Sequence, residues 1–172
     1  MQPVPAPAQS LILFANSRRL AGRPDLLADR ASAGKALARA GLLPAGTAPT
    51  PSALRRLVAL RSALNAALGG EEQAWAAIDA EAARLRVRLE FQPGPDASVR
   101  ATAAGDPVAA LLLTLYEAVA HGWWSRMRRC ANDICAAAFY DPTRSRTRRW
   151  CSYARCGNRA NVAAHRARTS GN

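Results

Sequence analysis

All four cysteines of the chain lie in two short segments, CANDIC at residues 130–135 and CSYARC at residues 151–156. Each segment has four residues between its two cysteines, and fifteen residues connect the two pairs. Two such pairs can supply four thiolates to one tetrahedral metal ion, for which Zn²⁺ is the usual occupant. The alternatives are disulfides or unrelated buried thiols, but disulfides need an oxidising compartment and nothing in the sequence indicates export. The sequence therefore predicts one Zn²⁺ bound by Cys130, Cys135, Cys151 and Cys156.

The residues around the cysteines follow a recognisable order. Along the chain they are Cys130-Ala131-Asn132, Phe139-Tyr140-Asp141, Arg148-Arg149-Trp150-Cys151-Ser152 and Cys156-Gly157-Asn158-Arg159. These motifs and their spacing resemble the CGNR zinc finger, which is named after the last tetrapeptide. In that family the finger follows an ABATE domain, the domain of stress-induced transcription regulators. The resemblance implies zinc binding and nucleic-acid binding, with roles in transcription regulation and the stress response.

A more diffuse resemblance to the ABATE domain extends over residues 11–125. Phe14-Ala15-Asn16-Ser17 is similar to the start of that domain, although Leu13 stands where an acidic residue often precedes the phenylalanine. Residues 25–42 are similar to the loop and helix that follow. We therefore expect a disordered, Pro- and Ala-rich lead-in at residues 1–10, an ABATE-like domain at residues 11–125 and a CGNR zinc finger at residues 126–169.

The residue patterns predict an α+β fold, in which a mainly helical N-terminal domain with a small β-hairpin is followed by the finger. Leu11–Ala15 predicts a short buried strand or the beginning of a helix. Thr50 and Asp106 are typical helix N-caps, each followed by proline. Alternating apolar and charged residues from Leu85 to Phe91 predict a strand, which residues 97–103 join as a hairpin on the helical layer. The predicted inward helix faces comprise Leu54, Leu57, Val58, Leu64 and Leu68, then Trp75, Ile78, Ala82 and Leu85, and finally Val108, Leu111, Leu112, Leu115 and Val119.

Two polar residues interrupt the first of these apolar faces. Arg61 and Asn65 lie seven and eleven residues after Leu54, in the middle of the predicted buried stripe. A buried arginine requires a carboxylate partner or an anionic ligand, unless its head group reaches the rim of the packed face. We expect Arg61 either to pair with a carboxylate or to line a candidate ligand pocket with Asn65 and Asn16, where a small-molecule effector could bind.

Within the finger, Asn132 is expected to turn the chain between the first two cysteines. Ala138–Tyr140 and Arg148–Trp150 are expected to pair as short strands. Phe139 and Trp150 should form a small core over the metal, with stacking on nucleic-acid bases as the alternative. Trp123 and Trp124, just before the finger, are expected to pack it against the helical domain.

Gly157–Arg168 predicts a final helix that begins close to the metal. Asn158, Val162 and His165 share one face of this helix, which is expected to pack inward. His165 is the alternative metal ligand, but four thiolates already fill a tetrahedral site. We therefore expect His165 to be a packed or surface side chain.

The positive charge of the chain is concentrated in the finger. The whole sequence has a net charge of +12, and 23 of its 24 basic residues are arginine. Residues 126–168 contain eleven arginines against two acidic residues, Asp133 and Asp141, a net charge of +9. The planar guanidinium group suits phosphates and guanine edges. We predict that Arg144, Arg146, Arg148 and Arg149 contact phosphates and that Arg159 and Arg166 contact bases. Arg168 is also a predicted nucleic-acid contact, and it lies on a third side of the final helix.

These features favour a DNA-binding transcriptional regulator whose N-terminal domain acts as a sensor or dimerisation unit, with a homodimer as a candidate assembly. An RNA-binding zinc protein, or a protein-interaction module with a purely structural zinc, are the alternatives. No redox pair, phosphate-binding Gly-rich loop or open His-rich metal site indicates an enzyme. The expected partner is nucleic acid, with duplex DNA favoured. No apolar run predicts a membrane span, and the expected location is cytoplasmic.

Overall fold

The computed structural model describes residues 3–20, 22–92, 98–102 and 105–169, with backbone alone at residues 91–92, 98–102, 163–165, 167 and 169. It confirms the predicted α+β fold: a mainly helical N-terminal region, a small antiparallel hairpin and a C-terminal module that gathers the four cysteines. The elements are α1 (Ala6–Ala15), α2 (Arg30–Arg39), α3 (Pro51–Leu68), α4 (Ala74–Ala82), β1 (Arg88–Gln92), β2 (Ser98–Thr102), α5 (Pro107–Ala120), β3 (Met127–Arg129), β4 (Ala138–Tyr140) and α6 (Asn158–Thr169).

Side-chain caps determine where α2, α3 and α5 begin. Thr50 accepts a hydrogen bond from the backbone N–H three residues on, and Asp106 accepts one from the N–H two residues on, so both predicted caps are confirmed. Asp29 caps α2 in the same way, with two N–H groups donating to its carboxylate. Pro51 and Pro107 follow these caps at the first position of each helix. The backbone N–H at that position makes no hydrogen bond within the helix, so its absence in proline costs no hydrogen bond.

The large core lies where α1, α3 and α5 meet. Leu11 and Phe14 of α1, Leu57 of α3 and Val108 of α5 are at most 2% exposed. Helix α2 packs beside them, and its Gly34 allows the loop after the helix to approach closely. A Cβ atom added at Gly34 would lie 2.3 Å from the backbone oxygen of Thr47. This position therefore requires glycine for steric reasons.

Several predicted helix boundaries and faces need correction. Helix α1 begins at Ala6, and Ala8 is fully buried, so the predicted disordered lead-in is wrong for residues 6–10. The helix extends this far because its proline lies in the first turn, where proline is tolerated. Ala82 of α4 is exposed and Val119 of α5 is 48% exposed, since each helix runs past the edge of the core near its end.

The hairpin of β1 and β2 is confirmed, but it begins at Arg88 rather than Leu85. Its antiparallel register pairs Arg88 with Thr102 and Glu90 with Arg100. Leu85 still packs partly against the core, whereas Val87 and Leu89 are 43% and 57% exposed. The expected packing of this alternating face on the helical layer is therefore wrong for Val87 and Leu89. The described side chains of residues 86–90 are all exposed, so this segment leaves the core after Leu85.

A second small sheet corrects the predicted strand pairing. Strand β4 pairs with β3, with Met127 opposite Tyr140 and Arg129 opposite Ala138, and not with Arg148–Trp150. The physical reason is that β3 leaves the helical core directly beside β4, and Met127 and Ala138 are both buried in that core. The expected partner segment is used differently, because the Arg149 carbonyl accepts a hydrogen bond from Ala131 N–H.

The final helix α6 follows a wide π-helical turn at Tyr153–Gly157. Its predicted inward face is wrong for Asn158 and for Val162, because Asn158 is exposed and Val162 is 50% exposed. The side chain of His165 lies outside the described residues. Helix α6 therefore carries its three arginines, Arg159, Arg166 and Arg168, at the surface of the finger. In the described part of the chain, every helix is too short or too polar to cross a membrane.

Candidate metal centre and basic surface

The four cysteine thiols lie together in the folded chain. Their Sγ atoms are all within 4.8 Å of one another. Cys151 Sγ lies 3.6 Å from Cys135 Sγ and 3.7 Å from Cys156 Sγ. A tetrahedral Zn²⁺ with Zn–S bonds of about 2.3 Å requires sulfur atoms about 3.8 Å apart. The four sulfur atoms are thus arranged to hold one thiolate-binding metal ion of the size of Zn²⁺.

Backbone hydrogen bonds place the four ligands. The Asn132 carbonyl accepts a hydrogen bond from Cys135 N–H, and its side-chain oxygen accepts one from Ile134 N–H, so Asn132 turns the chain as predicted. In the second segment, Cys156 N–H donates to the Ser152 carbonyl. Cys151 N–H lies 3.5 Å from Cys130 Sγ, and this contact directs one segment onto the other. Each pair of cysteines therefore forms a tight turn.

The clustering of the thiols perturbs their acid–base chemistry. Against the effect of burial, hydrogen bonds with the Ala137 backbone and the neighbouring thiols lower the pKa of Cys135. Burial, followed by the neighbouring thiols, raises the pKa of Cys151. Burial is also the main reason that the pKa of Cys156 is raised. A divalent cation opposes both effects, because it stabilises the thiolate form that coordinates metal. The ligands therefore lose their protons on metal binding, and acid competes with the metal for them.

A small apolar cluster covers the metal centre. Phe139 is 7% exposed and packs with Cys130 and Cys156, while Trp150 is half-buried against them. The predicted role of Phe139 and Trp150 as a small core is therefore confirmed. The guanidinium of Arg148 lies 5.4 Å from the centre of the Phe139 ring and donates to the carbonyls of Trp150 and Cys151. Arg148 thus braces the metal loop.

A buried aspartate organises the arginine-rich loop between the two cysteine pairs. Asp141 is fully buried. One of its carboxylate oxygens accepts hydrogen bonds from the N–H and hydroxyl of Thr143, and the other accepts one from Arg148 N–H. Burial alone would raise the pKa of Asp141, but these hydrogen bonds and the nearby Arg128 hold that pKa below its usual value. The ionised carboxylate therefore closes the loop.

Two arginines of the preceding segment hold the same loop from outside. Arg126 donates to the carbonyls of Asp141 and Thr143, and Arg128 donates to the carbonyl of Arg146. Arg146 itself has a φ angle of +53° and donates to the Ser125 hydroxyl. Arg126 and Arg128 are thus committed to structure, so the finger presents fewer arginines than its composition implies.

The arginines predicted to contact nucleic acid are all exposed, but they differ in their contacts. Arg149 lies over the Trp150 ring at 5.2 Å, and Arg159 lines a cavity of about 300 Å³ beside Cys135, Cys151 and Cys156. Arg155, absent from the predicted set, lines the same cavity. The exposed arginines of the finger are Arg129, Arg144, Arg146, Arg148, Arg149, Arg155, Arg159, Arg166 and Arg168, against one exposed acidic residue, Asp133.

Asn16 joins the helical domain to the finger. Its amide nitrogen donates to the Ala138 carbonyl at 2.9 Å, and its amide oxygen accepts from Ala138 N–H at 2.8 Å. Asn16 thereby extends the edge of β4 like a strand residue. Both of its polar atoms are used in this pairing, which places Asn16 at the joint and not in the predicted ligand pocket. Trp124 adds an edge-to-face contact with Trp75 of α4, at a centroid distance of 5.0 Å.

Arg61 and Asn65 are buried, at 6% and 8% exposure, as their position in the apolar stripe predicts. Arg61 forms a two-point ion pair with Asp25, at 2.6 and 2.7 Å, and this pairing holds the pKa of Asp25 below its usual value. Arg61 and Asn65 also line a cavity of about 290 Å³, together with Arg18 and Arg129. Both outcomes expected for Arg61, a carboxylate partner and a cavity, therefore occur together.

The sequence pattern did not predict the structural roles of Asp141, Arg18 and Arg129. Asp141 carried one detectable signal, since it is one of two acidic residues in an arginine-rich segment. Arg18 and Arg129 carried none, because both act across the joint between segments that are far apart in sequence. Arg18 donates to the Ala136 carbonyl at 2.7 Å, a contact that spans 118 positions.

Two family models match the chain. Residues 10–129 match ABATE, described as "Putative stress-induced transcription regulator", and residues 126–169 match the CGNR zinc finger. The two matches overlap at β3, the strand that leaves the helical core and enters the finger. A search among curated proteins gives no match.

Proposed function

The chain belongs to the ABATE family and carries a CGNR zinc finger, and from this premise we propose that it is a zinc-dependent, DNA-binding transcriptional regulator. Its four cysteines hold the Zn²⁺, its arginine-rich surface contacts duplex DNA, and its helical domain acts as a sensor or dimerisation unit. Both matched families are regulatory or zinc-binding, with no catalytic residues implied.

One observation carries the nucleic-acid part of this proposal. The finger exposes nine arginines against a single exposed acidic residue, Asp133, because its other acidic residue, Asp141, is buried in the loop that it closes. An ordinary solvated surface mixes both signs of charge. A surface of one sign attracts an anionic polymer and releases its counterions on binding. The exposed arginines also have fixed positions. Asp141 closes the loop that carries one group of them, and the metal holds the cysteine pair that precedes α6, which carries the other.

The individual arginines divide by their contacts. Arg144, Arg146 and Arg149 in the loop are suited to phosphates, and Arg159, Arg166 and Arg168 extend along α6, where they can reach a groove. Arg148 serves mainly as a brace, because its guanidinium already donates to two carbonyls beside the metal. This division revises the sequence-based expectation that Arg148 is a phosphate contact.

The test measures binding of zinc-loaded protein to duplex DNA, double-stranded RNA and single-stranded RNA across a salt series. Tight, salt-sensitive binding with duplex DNA preferred supports the proposal. Replacing Arg144 and Arg146 with glutamine should reduce the slope of log K against log salt by about 0.9 for each phosphate that the variant no longer neutralises. The control replaces Arg39 and Arg55 with glutamine, which removes the same two charges from exposed positions on α2 and α3.

Base contacts would give a different result. Arg166→Ala should reduce the preference between DNA sequences, by about 1–3 kcal/mol if its guanidinium reads a base edge. If the protein binds RNA more tightly than duplex DNA, RNA and not DNA is its ligand.

The interaction module is the second candidate, and one observation favours it. Ile134 and Tyr153, 77% and 64% exposed, are large apolar side chains at the surface of the finger. If zinc-loaded protein shows no salt-sensitive binding to any nucleic acid at micromolar concentration, the regulator proposal fails and the interaction module replaces it.

A further inference from the structure

A cavity of about 290 Å³ lies at the joint between the helical domain and the finger. Its lining brings together segments that are distant in sequence: Arg18 after α1, Arg61 and Asn65 on α3, and Arg129 of β3. The volume is at the lower end of the range for small-molecule sites. The cavity therefore suits a small ligand that contacts both regions at once.

The lining is rich in positive charge. Three guanidinium groups, those of Arg18, Arg61 and Arg129, meet here. Asp25 neutralises Arg61 through its two-point ion pair. Glu71 also lines the cavity and lies 3.6 Å from Arg129, but its side chain is 59% exposed, and such surface pairs are weak. Within the described residues, Arg18 has no carboxylate at ion-pair distance. The cavity thus has an excess of cationic hydrogen-bond donors.

Two buried atoms of the lining residues lack a hydrogen-bond partner among the described residues. Arg18 Nε is a donor and Asn65 Oδ1 is an acceptor. The amide group of Asn65 is correctly oriented, because its nitrogen donates to the carbonyls of Ala15 and Arg61. Buried polar groups of this kind are normally satisfied, by protein groups, an ordered water or a ligand, so the residues that line this cavity retain one donor and one acceptor for such a partner.

We propose that this cavity binds a small oxyanion, a carboxylate or a phosphate monoester, that also carries a hydroxyl or amino group. The anionic oxygens accept hydrogen bonds from Arg18 and Arg129, and the hydroxyl or amino group donates to Asn65 Oδ1. Arginine recognises such oxyanions through its planar array of donors. This inference builds on the sensor role proposed for the helical domain, and gives the sensed molecule a chemical class.

The same residues connect the cavity to the metal centre. Arg18 donates to the carbonyl of Ala136, the residue after the metal ligand Cys135. Arg129 immediately precedes the metal ligand Cys130. An oxyanion that orders these two arginines therefore acts on both ends of the loop that carries the first cysteine pair. This arrangement gives the sensor a direct route to the finger.

The experiment uses the full zinc-loaded chain with no DNA present, so that its outcome is independent of nucleic-acid binding. Calorimetry measures the affinities for glycerol 3-phosphate, inorganic phosphate, lactate and serine against potassium chloride at matched ionic strength. At least one of the probes that carries a hydroxyl or amino group should bind with submillimolar affinity. Glycerol 3-phosphate should bind at least threefold more tightly than inorganic phosphate, since its carbon-bound hydroxyl groups can donate to Asn65 Oδ1 while its phosphate oxygens accept from the arginines.

Two variants and a control test the site itself. Arg18→Gln should weaken binding at least tenfold. Gly69→Ala keeps every charge, but its new Cβ would lie 2.6 Å from the Arg129 guanidinium carbon and would displace that group, so binding should weaken severalfold. Arg55→Gln removes a charge from an exposed position of α3 outside the cavity and should leave the affinities unchanged.

Binding of none of these probes above the chloride control would overturn the proposal. Equal binding by wild type, Arg18→Gln and Gly69→Ala would overturn it as well. If Arg18→Gln does not fold with zinc, Gly69→Ala alone is the test. Weaker binding by Gly69→Ala supports the proposed site, and binding equal to that of wild type overturns it.

Discussion

The helical domain and the finger are stabilised by different forces. In the domain, α1, α3 and α5 bury large apolar side chains such as Leu11, Phe14 and Leu57, and the hydrophobic effect can stabilise a core of that size. In the finger, the buried cluster consists of Phe139 and two cysteines, with Trp150 half-buried beside them. A cluster so small needs another source of stability, which metal–thiolate bonds supply.

The β3–β4 hairpin belongs to both regions. Successive residues of a strand point to opposite faces, so Ala138 packs in the large core while Phe139 packs over the metal. In the same way, Met127 packs in the large core and Cys130 packs in the small cluster over the metal. The transition between the two regions therefore lies inside the hairpin, and we expect loss of the metal to release the chain after the hairpin.

The largest expected effect comes from removing one metal ligand. Cys151→Ser replaces a thiolate with a hydroxyl that stays neutral and coordinates zinc poorly. Structural zinc contributes on the order of 10 kcal/mol to such modules, so the finger should unfold. Elemental analysis should find much less than one zinc per chain, and the helical signal in circular dichroism should be largely retained. A variant that keeps one zinc and a folded finger would show that Cys151 is not a ligand.

The next effect tests the helical domain alone. Gly34→Ala forces a Cβ atom to within 2.3 Å of a backbone oxygen, so it should lower the free energy of unfolding by about 1–3 kcal/mol. Zinc content should stay at one per chain. Gly69→Ala is the matched control, because its Cβ would meet only the end of the flexible Arg129 side chain. Equal stabilities of the two variants, measured by urea unfolding, would contradict the packing described for α2.

A smaller effect is expected at the joint. Asn16→Ala removes both hydrogen bonds to Ala138, which should cost about 1–2 kcal/mol in the free energy of unfolding. Zinc should also be lost to a competing chelator at a lower chelator concentration, because β4 is less firmly held. Asn16→Asp keeps the acceptor and should lie between alanine and wild type. An unchanged chelator midpoint in Asn16→Ala would mean that the two regions are independent.

The smallest effect concerns surface charge in the helical domain. Glu81 pairs with Arg56 at 2.7 Å and with Arg84 at 2.7 Å. Because such pairs are near the surface, Glu81→Gln should lower the free energy of unfolding by less than about 1 kcal/mol, and the difference should shrink in high salt. A larger, salt-independent decrease would show that charge, and not burial alone, holds this region.

Local chemistry made part of this structure predictable. Helix caps such as Thr50 and Asp106 act within a few residues, and the buried positions of Arg61 and Asn65 follow from helical periodicity. The paired cysteines predicted a metal centre for the same reason. The joint was not predictable, since the Asn16–Ala138 pairing spans 122 positions and periodicity carries no information about it. The wrong strand partner for β4 arose in the same way.

The role of Arg148 shows a second limit. Its place in a run of arginines predicts a phosphate contact, which stays a prediction, but that run does not predict the hydrogen bonds that its guanidinium donates to two carbonyls of the metal loop. Composition identifies which residues are charged. The fold determines which of those charges remain available to a ligand.

Hydrogen exchange of the full chain, with zinc bound and after chelation, tests the two-region account most directly. Amides of residues 150–162 should lose protection on chelation, while those of α3, α5 and the β3–β4 hairpin keep it. That pattern would show that the metal holds the arginine-rich segment and that burial holds the rest. Simultaneous loss of protection in α3 and α5, or retained protection in residues 150–162 without zinc, would contradict the account.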